Sequence, residues 1–118
     1  MKTNLRAKGT LGEDAAAEYL GKKGYRILER NYRFERGEID IIAEEREVLV
    51  FVEVKARRSQ AFGEPHEAVT ARKQQQIRKV AEGYLFLHEI NDKECRFDIV
   101  AIHYTGSKMS IEHFENAF

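Results

Sequence analysis

The chain has 118 residues, a length that suits one compact domain and is short for two. Apolar residues make up 42% of it and charged residues 34%, so there is material for a core and for a well-solvated surface. The only cysteine, Cys95, excludes an internal disulfide, and His66, His88, His103 and His113 show no zinc-ligand spacing. The longest apolar run, Val48 to Val52, is too short to span a bilayer, and residues 1–8 lack the apolar core of a signal peptide. These features lead us to expect a cytoplasmic domain without membrane contact.

The elements follow in chain order. Leu11 to Lys23 reads as a helix, because Glu13, Ala16, Ala17 and Leu20 share one face and Asp14, Glu18 and Lys22 another. Gly24 suits the position that ends it. Glu13 is the oddity, a carboxylate on the inward stripe. Tyr25 to Phe34 reads as a strand, Glu35 to Gly37 as a turn and Glu38 to Ala43 as a second strand. Glu44 to Glu47 reads as a turn and Val48 to Lys55 as a third strand. This third strand is apolar on both faces, with Leu49 and Phe51 on one and Val48, Val50, Val52 and Val54 on the other. It should therefore be central, with both sheet faces covered.

Arg58 to Pro65 reads as a loop. Thr70 to His88 reads as a long helix, with Thr70 as its N-cap and Ile77, Val80, Ala81 and Tyr84 as its apolar stripe. Cys95 to Tyr104 and Met109 to Phe114 are the last two strands. The expected fold is α/β, in three α/β/α layers: a mixed sheet of about five strands with a helix on each face, in the order α-β-β-β-α-β-β. One domain spans residues 1–118, with residues 1–10 free to be a flexible lead-in.

Charge is segregated although the net charge is zero. Lys22 to Arg36 holds six basic and two acidic residues, and Lys55 to Lys79 holds seven basic and two acidic. Between them, Glu38 to Glu53 holds six acidic residues and one basic. An acidic centre between basic flanks suits a cation site that must also attract phosphate. On charge alone, ordinary solvated faces are the favoured reading.

The informative spacing is Asp40, twelve residues, then Glu53-Val54-Lys55. A turn of two residues (Glu45-Arg46) or four (Glu45 to Val48) places Asp40 and Glu53 on one sheet face, diagonal or directly opposite. Lys55 shares that face by strand alternation. Two carboxylates at the end of an apolar strand repel each other and resist desolvation, a cost that a hard divalent cation removes. Lys55 could then orient or deprotonate an attacking water, or neutralise developing negative charge. Taken singly, each residue has a plainer explanation: a frayed strand end for Glu-x-Lys, a salt bridge to a nearby arginine for Glu13, a snorkelling side chain for Lys73. Their combination favours a site.

At these residues the chain resembles the PD-(D/E)xK nucleases, with Ile39 in place of the usual proline. Gly12-Glu13-Asp14, Asn31-Tyr32-Arg33, Gly37 to Ile42, Phe51 to Arg57, Arg96-Phe97-Asp98 and Glu115 to Phe118 more closely resemble the YraN-like family of small bacterial proteins. That family is similar in pattern to archaeal Holliday-junction resolvases. The resemblance implies a restriction-endonuclease-like fold and a bacterial, cytoplasmic home. It implies Asp40, Glu53 and the Val54 carbonyl as ligands of Mg2+ or Mn2+, and Lys55 as the base or water-positioning group. Glu13 would match the resolvases' helical carboxylate, making Glu13, Asp40, Glu53 and Lys55 the catalytic set. Arg57 and Lys73 or Gln74 would contact phosphate, with Arg36 and Arg58 as further nucleic-acid contacts. Arg72, Lys73, Arg78 and Lys79 form a basic helix able to grip phosphates without reading sequence. DNA is the expected partner rather than RNA, for want of an aromatic stacking platform. A homodimer would supply two active sites. The competing expectation is a non-catalytic binding or assembly module on the same fold, because fold alone does not establish activity.

Overall fold

The computed structural model describes residues 4–57 and 69–118. Two helices and five strands follow in the expected order: α1 (Asn4–Lys22), β1 (Arg26–Phe34), β2 (Gly37–Glu45), β3 (Val48–Arg57), α2 (Ala71–Leu87), β4 (Glu94–Thr105) and β5 (Lys108–Phe114). The five strands form one sheet in the spatial order β1-β2-β3-β4-β5. Only β3 and β4 are parallel, joined by the crossover that contains α2; the other neighbours are antiparallel. The loop expected at Arg58 to Pro65, and Arg58 itself, lie outside the described residues.

The two helices cover opposite faces, and the alternation along β3 sorts its residues between them. Leu49 and Phe51 pack with Ile77, Val80, Ala81 and Tyr84 of α2. Val50 and Val52 pack with Ala16 and Leu20 of α1. Leu49 to Val52 are at most 1% exposed, as a central strand with two covered faces must be. Ile99 to Ile102 of β4 are likewise wholly buried. The result is the three-layer architecture of a restriction-endonuclease-like domain. Among the described residues no helix is long and apolar enough to cross a membrane.

The helix ends have local causes. α1 closes in a Schellman turn: the Tyr25 N–H donates to the Leu20 carbonyl, and the N–H of Gly24, whose φ is 97°, donates to Gly21. The helix starts at Asn4, seven residues before the Leu11 read from the apolar stripe. Thr70 caps α2 through its side chain, which accepts from the Lys73 N–H. α2 ends with Glu89, not glycine, at φ 54°, and the Ile90 N–H returns to the Leu85 carbonyl.

The β2–β3 hairpin fixes the register on which the site depends. Glu45 pairs with Val48, Glu44 with Leu49 and Ile41 with Val52, closing a tight turn at Arg46-Glu47 with Arg46 at φ 56°. This is the four-residue register of the sequence reading, with one further pair closed inside it. Carried one pair further, it sets Asp40 opposite Glu53.

Candidate functional site

Paired strand residues of β2 and β3 end at Ile41 and Val52. Beyond that point the Val54 N–H donates not to a backbone carbonyl but to Asp40 Oδ2, at 2.8 Å. A strand residue projects its N–H and C=O to the same side, so the Val54 carbonyl also faces Asp40. The β2 side of β3 thus changes here from a backbone ladder to a carboxylate.

Glu53 is the buried acid of this site, with its side chain only 8% exposed. It lies on the α2 face of β3, two residues beyond Phe51. Two lysines reach it from different elements. Lys55 Nζ lies 3.6 Å from Glu53 Oε2, and Lys73 Nζ, from the first turn of α2, lies 3.9 Å from the same oxygen. Both are ion-pair distances rather than tight hydrogen bonds, so the lysines remain able to exchange partners.

Electrostatics set this site apart. Burial pushes the Glu53 carboxyl up to about 7, and the neighbouring Asp40 pushes the same way, while Lys73 and Lys55 only partly offset them. Burial also raises Asp40, helped by Glu38 and opposed by the Val54 N–H, Lys73 and Lys55. Glu13, half-buried on α1, is raised by burial and by Asp40, against an Asn31 hydrogen bond and Arg30. Its nearest arginine contact is loose: Arg30 Nη2 lies 3.9 Å from Glu13 but 2.7 Å from Asp14. These acids therefore hold their charge at a cost, the condition that a bound cation relieves.

The donor set fits a hard divalent cation of the kind that keeps most of its waters. Among the described residues no three His, Cys, Asp or Glu side chains converge as ligands. What does converge is one pair of carboxylates with a backbone carbonyl beside it, an all-oxygen set that suits Mg2+ or Mn2+ better than zinc. Glu13 and Glu38 contribute field from farther out.

The remaining expected residues are placed as follows. Arg57 ends β3, beyond Lys55. Gln74 donates its side-chain amide to the Val69 carbonyl at 3.0 Å, bracing the entry to α2. Arg36 lies in the β1–β2 turn and its carbonyl accepts from Gln76, so it belongs to a neighbouring groove and not to the carboxylates. Sequence reasoning assigned Lys73 to phosphate but missed its approach to Glu53. The signal was present, since Lys73 falls one turn before Ile77 on the buried stripe.

A family model described as "Uncharacterised protein family UPF0102" matches residues 12–102. The chain belongs to this family. It is 51% identical over 114 residues to a UPF0102 protein of Trichlorobacter lovleyi, covering 95% of this chain and 90% of that one. A UPF0102 protein of Alkaliphilus oremlandii is 50% identical over 112 residues, covering 93% and 96%. One from Chlorobium phaeobacteroides is 44% identical over 124 residues and spans the whole chain. UPF0102 is the family read from the sequence as YraN-like. The matched stretch runs from the Gly12-Glu13-Asp14 motif of α1 to Ile102, and so contains every residue of the site just described.

Proposed function

We propose that this UPF0102 protein is a metal-dependent nuclease that hydrolyses DNA phosphodiester bonds in the bacterial cytoplasm. The observation that carries the reading is a pair of carboxylates raised by burial, Glu53 buried at the end of the central strand and Asp40 half-buried beside it on β2, with Lys55 and Lys73 next to Glu53. A structural role gives no reason to set a second acid beside a buried one there, and functional sites are where such perturbation collects.

Asp40, Glu53 and the Val54 carbonyl would hold Mg2+ or Mn2+. When bound, the cation supplies Lewis acidity toward a phosphoryl oxygen and a more acidic water. The chain's own groups do the rest. The Val54 N–H fixes one Asp40 oxygen and so aims the other. Lys55 orients the attacking water as an ammonium, or takes its proton once it has released its own to solvent. Lys73 offers positive charge to the phosphate as negative charge develops on it. Glu13 and Glu38 deepen the negative field that draws in the cation. The basic flanks hold the backbone without reading bases, so cutting follows DNA structure rather than sequence, with branched DNA as the preferred form. Branched DNA presents two strands to cut, and a second copy of the chain would bring the second site.

The test is incubation of purified protein with Mg2+ or Mn2+ and linear, flapped, single-stranded and four-way-junction DNA, beside Asp40→Ala and Lys55→Ala. Cleavage that disappears in both variants is the expected result. Absence of cleavage on every substrate, together with absence of cation binding, would replace this reading with that of a non-catalytic binding module.

A further inference from the structure

The basic residues of α2 do not act as one patch. Lys73 turns to Glu53. Arg78 lies over the rings of Phe97 and Phe118, 4.6 and 5.8 Å from their centroids. Arg72 and Lys79 instead line an open groove of about 730 Å³ between α2 and the β1–β2 turn, with Arg36, Gly37 and Gln76.

The groove is held in shape. A Cβ on Gly37 would sit 2.4 Å from Val80 Cγ2, so the backbone at the start of β2 approaches α2 as closely as only glycine allows. Gln76 Nε2 reaches the Arg36 carbonyl at 3.5 Å and joins the turn to the helix. Arg72, Gln76 and Lys79 fall at i, i+4 and i+7, one stripe along the helix. Many cations elsewhere are engaged: Arg26 with Glu44, Arg30 with Asp14, Arg33 with Glu38, Arg96 with Asp98. Among the described residues Arg36, Arg72 and Lys79 have no carboxylate partner within ion-pair distance, although Glu35 shares the groove. Three exposed cations and an amide from two elements around one cleft fit an extended polyanion.

We propose that this groove binds the phosphodiester backbone of nucleic acid and carries the strand away from the carboxylate site. The inference rests on the nuclease reading for its direction: Lys73 follows Arg72 on α2, and Glu38 and Asp40 follow Gly37 on β2, so groove and site share both elements. Arg72 to Lys79 spans about 10 Å of helix, roughly three steps of about 3.4 Å rise along the axis of a duplex.

The experiment is fluorescence anisotropy with fluorescein-labelled single-stranded DNA, duplex DNA and RNA of one sequence, in EDTA, over about 50 to 200 mM salt. Wild type is compared with Arg72→Gln/Lys79→Gln and with Lys22→Gln/Lys108→Gln, which removes two charges elsewhere. The groove variant should bind at least about tenfold more weakly at low salt. Its slope of log affinity against log salt should fall by about 1.8 for duplex, the value for two lost phosphate contacts. The control variant should match wild type. If the groove variant binds as wild type does, or if wild type binds none of the three, the groove proposal is overturned. Because no divalent cation is present, these outcomes are independent of cleavage. A loss of binding supports the groove even if the protein cuts nothing, and an unchanged variant leaves the Asp40–Glu53 reading to its own assay.

Discussion

Two buried acidic centres lie on this sheet, and the chain treats them in opposite ways. At Asp98 on β4, wholly buried, every carboxylate lone pair is answered. Arg96 donates from Nε to Oδ1 and from Nη2 to Oδ2, both at 2.9 Å. His113 Nε2 donates at 2.7 Å, and the Asn116 N–H at 3.0 Å. Burial alone would raise this acid, but these donors together pull it below the ordinary range. The same network fastens the C-terminus, where the Ala117 N–H donates to the Phe97 carbonyl at 2.7 Å and Phe118 stacks on Phe97. At Asp40 and Glu53 burial prevails, and both acids rise. Satisfied burial builds structure; burial left short of donors leaves a demand for a ligand. That difference separates a motif that closes the fold from the one we propose as the active site.

Substitutions should break the two centres differently. The largest effect is expected at Lys55: Lys55→Met should lower the cleavage rate by about 10²–10⁴-fold, as loss of a proton-handling group does, with little change in thermal midpoint. Next, Asp98→Ala should cost about 3–5 kcal/mol in urea denaturation, because Arg96, the buried His113 side chain and the Asn116 N–H all lose the carboxylate they share. Glu53→Gln should do the reverse, adding about 1–3 kcal/mol near neutral pH, because it removes a charge the fold strains to hold. An unchanged or lower midpoint would show that the lysines already compensate Glu53. Smallest, Arg30→Ala should cost less than about 1 kcal/mol, since its pair with Asp14 is at the surface.

pH sharpens the contrast. The Glu53 pKa is higher folded than unfolded, so its contribution is fully present below about 4.5 and is lost as pH rises toward about 7. The Asp98 pKa is lower folded than unfolded, so its contribution is present above about 3.8 and is lost as pH falls through the folded value. Denaturation of wild type against Glu53→Gln over this range should give a difference that grows with pH. Wild type against Asp98→Asn should give a difference that shrinks as the solution is acidified.

Much of this was legible in the sequence because it rests on periodicity. The two-faced apolar pattern of Val48 to Val54 placed β3 at the centre. The spacing from Asp40 to Glu53 put both acids on one face in either admissible register. The Asp98 network was not legible. The Arg96-Phe97-Asp98 and Glu115 to Phe118 stretches were visible as motifs, but their pairing joins β4 to residues after β5, a contact that no local pattern encodes. The split of the basic residues on α2 was hidden for a similar reason: helical spacing gives the stripe, whereas Phe97, Glu53 and the β1–β2 turn decide where each cation goes.

The most direct test of the central claim is calorimetric titration of Mn2+ at pH 8 into wild type and Asp40→Asn, whose folding is checked by circular dichroism. The account predicts saturable binding to wild type, lost in the folded variant and weakened in wild type as pH drops through about 7, where a proton competes for Glu53. Absence of Mn2+ binding to wild type, or equal binding to Asp40→Asn, would contradict it.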